Sequence, residues 1–152
     1  MTPLISFRAV GRTYRPWFGS SVRAVDDFSL EIAAGEVVGI AGPNGAGKTT
    51  LIAMLLGFLA PTNGDISIAG FAPRAFVERF GVGYLPELMA LPAFWRADNT
   101  LRRLGILSGV PAAELEGAVA RGVERLGLDE HRRKSIKALS KGNFQRLGLA
   151  QA

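Results

Sequence analysis

The chain has 152 residues, about one domain's worth, and with 48% hydrophobic and 20% charged residues it is not disordered along its whole length. It has no cysteine, which excludes a disulfide scaffold, a thiolate metal site and a cysteine nucleophile. The net charge of +5 is a local feature: all 13 acids lie between Asp26 and Glu130, whereas the last 22 residues carry six bases and no acid. A nucleic-acid binder spreads its bases over a face or a helix stripe, and no direct nucleic-acid contact is expected here. The longest apolar run, residues 51–60, is half the ~20 residues a membrane span needs. The N-terminus shows no basic region followed by an apolar stretch and a cleavage site. The sequence reads as soluble and cytoplasmic.

In chain order, residues 4–10 read as a strand, with Ile5, Phe7 and Ala9 alternating against Ser6 and Arg8. Residues 15–21, rich in Pro, Gly and Ser, read as a loop. Phe28, Leu30 and Ile32 alternate in a half-buried strand, a turn follows at residues 33–35, and the β-branched run 37–41 predicts a fully buried strand. Residues 48–59 predict a helix with Leu51, Met54, Leu55 and Phe58 on one face. Residues 61–64 break it. Ile66 and Ile68 mark another strand, residues 74–80 a helix, and residues 82–85 a buried strand closed by Pro86. Beyond Glu87 the pattern becomes helical, over residues 97–107 and 112–126, the latter with Leu115, Ala118, Val119, Val123 and Leu126 at helical spacing. Pro111 suits the start of that helix and Gly127 its end.

Gly42-Pro43-Asn44-Gly45-Ala46-Gly47-Lys48-Thr49 fits G-x-x-x-x-G-K-[ST] at every fixed position, between an apolar strand and a helix, with Thr50 following. Glycines let successive N–H groups turn inward onto phosphate oxygens, and the helix start adds unpaired N–H groups and partial positive charge. Lys48 reaches the β and γ phosphates and the Thr49 hydroxyl can ligate magnesium. This loop predicts a nucleoside triphosphate site.

The loop alone leaves open kinases, GTPases, helicases and transport ATPases. A second segment, Leu139-Ser140-Lys141-Gly142-Asn143-Phe144-Gln145-Arg146, resembles the signature of ATP-binding cassette (ABC) ATPases, LSGGQ followed by xQR. By itself it could also be an ordinary serine N-cap on the last helix. Other family landmarks occur in order: Tyr14, with Trp17 and Phe18 as neighbouring alternatives; residues 24–30; residues 61–66; and residues 82–87. The resemblance covers essentially the whole chain. It implies an α/β fold, a P-loop NTPase core with an N-terminal antiparallel β part and a helical subdomain, incomplete at the C-terminus. The core would span residues 1–88, the helical subdomain 89–140, and the signature with the start of the following helix 139–152.

The resemblance also implies the site. Tyr14 would stack on adenine, residues 42–50 would hold ATP, Lys48 and Glu87 would serve catalysis, and Thr49 and Glu87 would ligate Mg2+. Ser140, Lys141, Gly142 and Asn143 would close the site of a second copy, so the protein would work as a homodimer or pseudo-symmetric dimer. It would drive a membrane permease, with the helical part docking on it, from the cytoplasmic face of the membrane, as an exporter-type subunit with an LSKG variant. Three departures stand out. Lys141 replaces a signature glycine and Asn143 its glutamine. Glu87 stands where many members carry glutamine. The family's apolar strand ending in Asp-Glu, and its switch histidine, should follow the signature, and Ala152 precedes both. Residues 126–130 imitate the acidic motif but precede the signature, and His131 reads as a surface residue. The chain therefore reads as the N-terminal portion of a longer protein, not itself competent to turn over ATP, with apolar surface exposed around Val37, Val38 and Ile40.

Two other classes remain. One is a related ATPase acting on DNA or ribosomes. The DNA-repair branch is disfavoured, because Gly42 and Leu139 are 97 positions apart with no sustained heptads. The other is a non-hydrolysing regulatory nucleotide-binding module. A small-molecule kinase would not explain LSKGNFQR.

Overall fold

Alternating and β-branched residues build the first elements, and bulges shape their pairing. A computed structural model describes residues 3–152, and the chain divides after Val82 into two compact units. In the first unit β1 (Ile5–Tyr14) pairs antiparallel with both β2 (Val22–Ile32) and β3 (Asn63–Ile68), giving the strand order β2-β1-β3. Both long strands run further than residues 4–10 and 28–32, and β1 and β2 flank the predicted 15–21 loop.

The expected inward alternation of Ile5, Phe7 and Ala9 does not hold past Phe7. Ala9 takes a left-handed φ of 48°, the register shifts between Phe7 and Val10, and Val10 rather than Ala9 is buried. One extra residue in a strand reverses which face every later side chain occupies. β2 does the same at Asp27, φ 45°, so Val25 and Phe28 both turn inward.

Helix α1 (Lys48–Leu55) lays Leu51 and Met54 against Phe7, Val10, Val25 and Ile66, and the Phe7 and Phe28 rings meet edge to face at 5.3 Å. α1 is four residues shorter than predicted. Gly57, at φ 74°, donates to the Met54 carbonyl and Phe58 to the Ala53 carbonyl, a left-handed cap that turns the chain away and leaves Phe58 exposed. α2 (Pro73–Phe80) follows β3, with Pro73 in the first turn where its missing N–H costs nothing.

The two predicted buried strands, 37–41 and 82–85, do not form. Neither run has a ladder partner among the described residues. Val37 is 97% exposed, and Val38, Ile40, Val82 and Tyr84 are exposed too. A strand buried on both faces needs neighbouring strands and covering helices, and local apolar content cannot substitute for them. The expected exposure of Val37, Val38 and Ile40 is found.

The second unit is helical: α3 (Ala97–Leu107), α4 (Ala112–Arg125) and α5 (Lys141–Gln151). α3 has the predicted bounds and α4 ends one residue short of them. Ala97, Leu101, Leu115, Val119, Val123, Leu128, Ile136 and Leu147 form its core. Gly127, φ 61°, ends α4 in the same left-handed cap, with Leu128 donating back to the Val123 carbonyl. Both side chains are buried, an apolar contact that commonly seals such caps. Residues 129–131 form a 3-10 turn rather than a strand, as the rejection of that stretch as an acidic strand motif requires. His131 is half-buried, not a surface residue, and its Nδ1 is enclosed without a partner among the described residues. The turn folds it inward while its charged neighbours Glu130 and Arg132 stay exposed.

Candidate nucleotide-binding site

The first unit assembles residues 42–50 with Tyr14. Gly45 and Gly47 take left-handed φ values of 85° and 83°, and the Ala46 N–H donates to the Pro43 carbonyl at 3.2 Å, closing a tight turn. Gly47 is the N-cap of α1 and is pressed against β2: a Cβ there would strike the Ala24 carbonyl oxygen and Val25. Only glycine satisfies both the angle and the approach.

From that cap the first intrahelical bond runs from Leu51 N–H to the Gly47 carbonyl at 2.9 Å. The N–H groups of Lys48, Thr49 and Thr50 precede it and have no intrahelical acceptor. No side chain caps them and the first turn holds no acid, so the positive end of α1 stays uncompensated. The Lys48 ammonium donates to the carbonyls of Gly42 and Pro43, both at 2.8 Å, and so lies along the loop. Thr49 is exposed. These donors, one cation and one free hydroxyl fit a triphosphate with its hard metal ion.

Tyr14 ends β1, and its hydroxyl lies 3.5 Å from the Thr50 hydroxyl. Trp17 and Phe18 are 99% and 95% exposed, so Tyr14 is the aromatic of the three that approaches the helix start. Arg12 was not singled out from the sequence. Its guanidinium lies 5.0 Å from the centre of the Tyr14 ring. The signal was available: residues two apart on a strand share a face.

Ser140, Lys141, Gly142, Asn143 and Glu87 belong to the second unit. Ser140 is the N-cap of α5, its hydroxyl accepting from the Asn143 N–H at 3.2 Å. Ser140, Lys141 and Gly142 are exposed, and a side chain at Gly142 would meet nothing within 4 Å. The segment therefore does serve as a helix cap, with Ser140, Lys141 and Gly142 open to solvent. Glu87 is exposed in an irregular stretch. Among the described residues no cluster of three or more His, Cys, Asp or Glu is placed to hold a metal ion, and no helix is long and apolar enough to cross a membrane.

The chain is similar to known proteins in sequence and in overall fold. The ABC transporter family model matches residues 25–152. The uncharacterised ABC transporter ATP-binding protein YxlF of Bacillus subtilis is 36% identical over 149 residues, which is 98% of this chain and 48% of that protein. The Nod factor export ATP-binding protein I of Cupriavidus metallidurans is 33% identical over 154 residues, 100% of this chain and 49% of that one. Among solved structures, an ATP-binding subunit of an ABC transporter superposes with a TM-score of 0.77 at 25% identity, covering 98% of this chain and 61% of that one. A dimeric ATP-binding cassette bound to ADP and Pi in a post-hydrolysis state shares the fold, with a TM-score of 0.79 at 20% identity over 97% of this chain and 68% of that one. The chain belongs to the ABC transporter family and shares the fold of solved ABC ATP-binding domains. It spans about half the length of the curated relatives it matches.

Proposed function

We propose that the full-length protein binds MgATP at residues 42–50 and Tyr14, and hydrolyses it to drive transport through a membrane permease. The observation that carries this reading is the start of α1: three N–H groups without intrahelical acceptors, a lysine laid along the loop, and no acid in the first turn. Lys48 would leave its two carbonyls for the β and γ phosphates, exchanging neutral acceptors for ionised ones that bind the same ammonium more strongly. Thr49 would supply a hydroxyl oxygen ligand to magnesium. The metal would neutralise charge that develops on the phosphate oxygens.

In this reading Ser140, Lys141, Gly142 and Asn143 meet the triphosphate of a second copy, and the Lys141 ammonium adds attraction. Relatives with export and import names lie at similar distances: the Nod factor exporter subunit above, and a methionine import ATP-binding protein of Pseudomonas syringae at 32% identity. The direction of transport is accordingly no part of the proposal. We place the protein on the cytoplasmic face of the membrane, with residues 1–88 as nucleotide core and 89–140 as the part that docks on the permease.

The test is steady-state phosphate release from ATP by the full-length protein. Wild type should turn over, and Lys48→Ala should fall to background. Release by Lys48→Ala near the wild-type rate would overturn the assignment.

A further inference from the structure

We infer that Arg12 is a positioning residue for the nucleotide base: it holds the Tyr14 ring in place, and base recognition depends on the Arg12–Tyr14 stack rather than on Tyr14 alone. The inference rests on the reading of residues 42–50 as an ATP site and adds how the base is selected there.

The end of β1 is fastened at three successive residues. The Gly11 carbonyl accepts from the Thr62 N–H at 2.7 Å, the Thr13 N–H donates to the Thr62 hydroxyl at 3.0 Å, and between them Arg12 Nη1 donates to the Ala60 carbonyl at 2.8 Å. That last bond fixes the guanidinium where it meets the Tyr14 ring, 5.0 Å from its centre. A bulge adjoins this point, the β1–β2 register shifting on both sides of Arg12. Bulges of this kind re-aim side chains beside sites.

One feature of Arg12 is not accounted for by its bond to Ala60. Its Nε is buried and has no hydrogen-bond partner among the described residues. A buried unpaired donor opposes folding, so its retention calls for a compensating contact, and the Tyr14 ring face supplies one. On the other side of the arrangement the Tyr14 hydroxyl lies 3.5 Å from Thr50, in the first turn of α1, and Tyr14 as a whole residue is 37% exposed. The ring is thus held by a cation and by the phosphate-binding helix, with area left for a planar base. A guanidinium on one face and a base on the other form a three-layer stack, and a ring fixed beforehand loses less freedom on binding.

The test compares two ligands of the full-length protein by calorimetry: the non-hydrolysable analogue MgAMP-PNP and inorganic tripolyphosphate, which has the phosphates but no base. Arg12→Met should weaken the analogue about fivefold and leave tripolyphosphate within about twofold. Arg12→Lys should fall between wild type and Arg12→Met, and it carries the same comparison should Arg12→Met fail to fold. In a Tyr14→Ala background, Arg12→Met should have no further effect on the analogue. Equal losses for both ligands, or an undiminished effect without Tyr14, would overturn the inference and make Arg12 a general support of the strand end. Lys48→Ala separates the two levels, since it should weaken both ligands. If it weakens neither, the reading of the loop as a triphosphate site fails, and the inference about Arg12 with it.

Discussion

Lys48 Nζ donates to the Gly42 carbonyl at 2.8 Å, so the side chain expected to meet phosphate already holds its own loop closed. Charge and shape are therefore separable. Lys48→Gln keeps a donor for the carbonyls but removes the cation. It should shift the urea midpoint little while lowering ATP affinity on the order of 100-fold, as loss of hydrogen bonds to a charged partner does. A variant that bound ATP normally would show that the lysine is structural.

Gly45 and Gly47 have nearly the same φ, 85° and 83°, but different surroundings. Nothing lies within 4 Å of a Cβ at Gly45, whereas at Gly47 the Ala24 carbonyl and Val25 stand in the way. Gly45→Ala should cost about 1 kcal/mol, the left-handed penalty alone. Gly47→Ala should cost at least about 2–3 kcal/mol more, because α1 must shift from β2. Urea unfolding of the two variants, side by side, measures the difference, and equal costs would contradict the packing described.

Ser140 caps α5 through the Asn143 N–H. Ser140→Ala should destabilise the helical unit by about 1 kcal/mol. Ser140→Arg tests the proposed role across a dimer: nucleotide binding should persist while ATP-dependent dimerisation, read by sedimentation, is lost. Dimers that form undiminished in Ser140→Arg with ATP would refute that role.

Arg102 grips both carboxylate oxygens of Glu116, tying α3 to α4, with Nη2 to Oε2 at 2.9 Å. The Arg102 hydrogen bond, aided by the charges of Arg102 and Arg132, holds the Glu116 carboxyl below its ordinary value of 4.5. A lowered carboxylate pKa adds stability that is complete above the unfolded value and disappears as pH falls through the folded one. The contribution is therefore present above about pH 4.5 and lost below it. Glu116 is largely exposed, so water screens the pair and the effect is small. In the urea midpoint against pH, Glu116→Gln should flatten the acid limb below that value and lie beneath wild type above it. Parallel curves would remove the pair from the account of acid stability.

The glycine spacing of residues 42–49 was legible because the chemistry is local: φ values, a helix start and a lysine all follow from adjacent residues. The same holds for α3 and α4, where helical spacing alone defines the buried side, and for the Ser140 cap. The C-terminal limit of α1 was also written in the sequence, since Gly57 invites a left-handed cap, but the apolar pattern through Phe58 obscured it.

Other features depended on partners far along the chain. Residues 37–41 look like a buried strand by composition, yet burial requires neighbouring strands, and among the described residues none flanks them. The inward face of β1 reversed at Ala9 because a bulge is an agreement between two strands, not a property of one. The contact of Arg12 with Tyr14 likewise exists because Ala60, 48 residues away, anchors the guanidinium. Which residues can carry phosphate chemistry was legible locally, because that depends on side-chain type and backbone freedom. The tertiary structure alone decided which faces are buried and which side chains meet, because those depend on pairing and packing between distant segments.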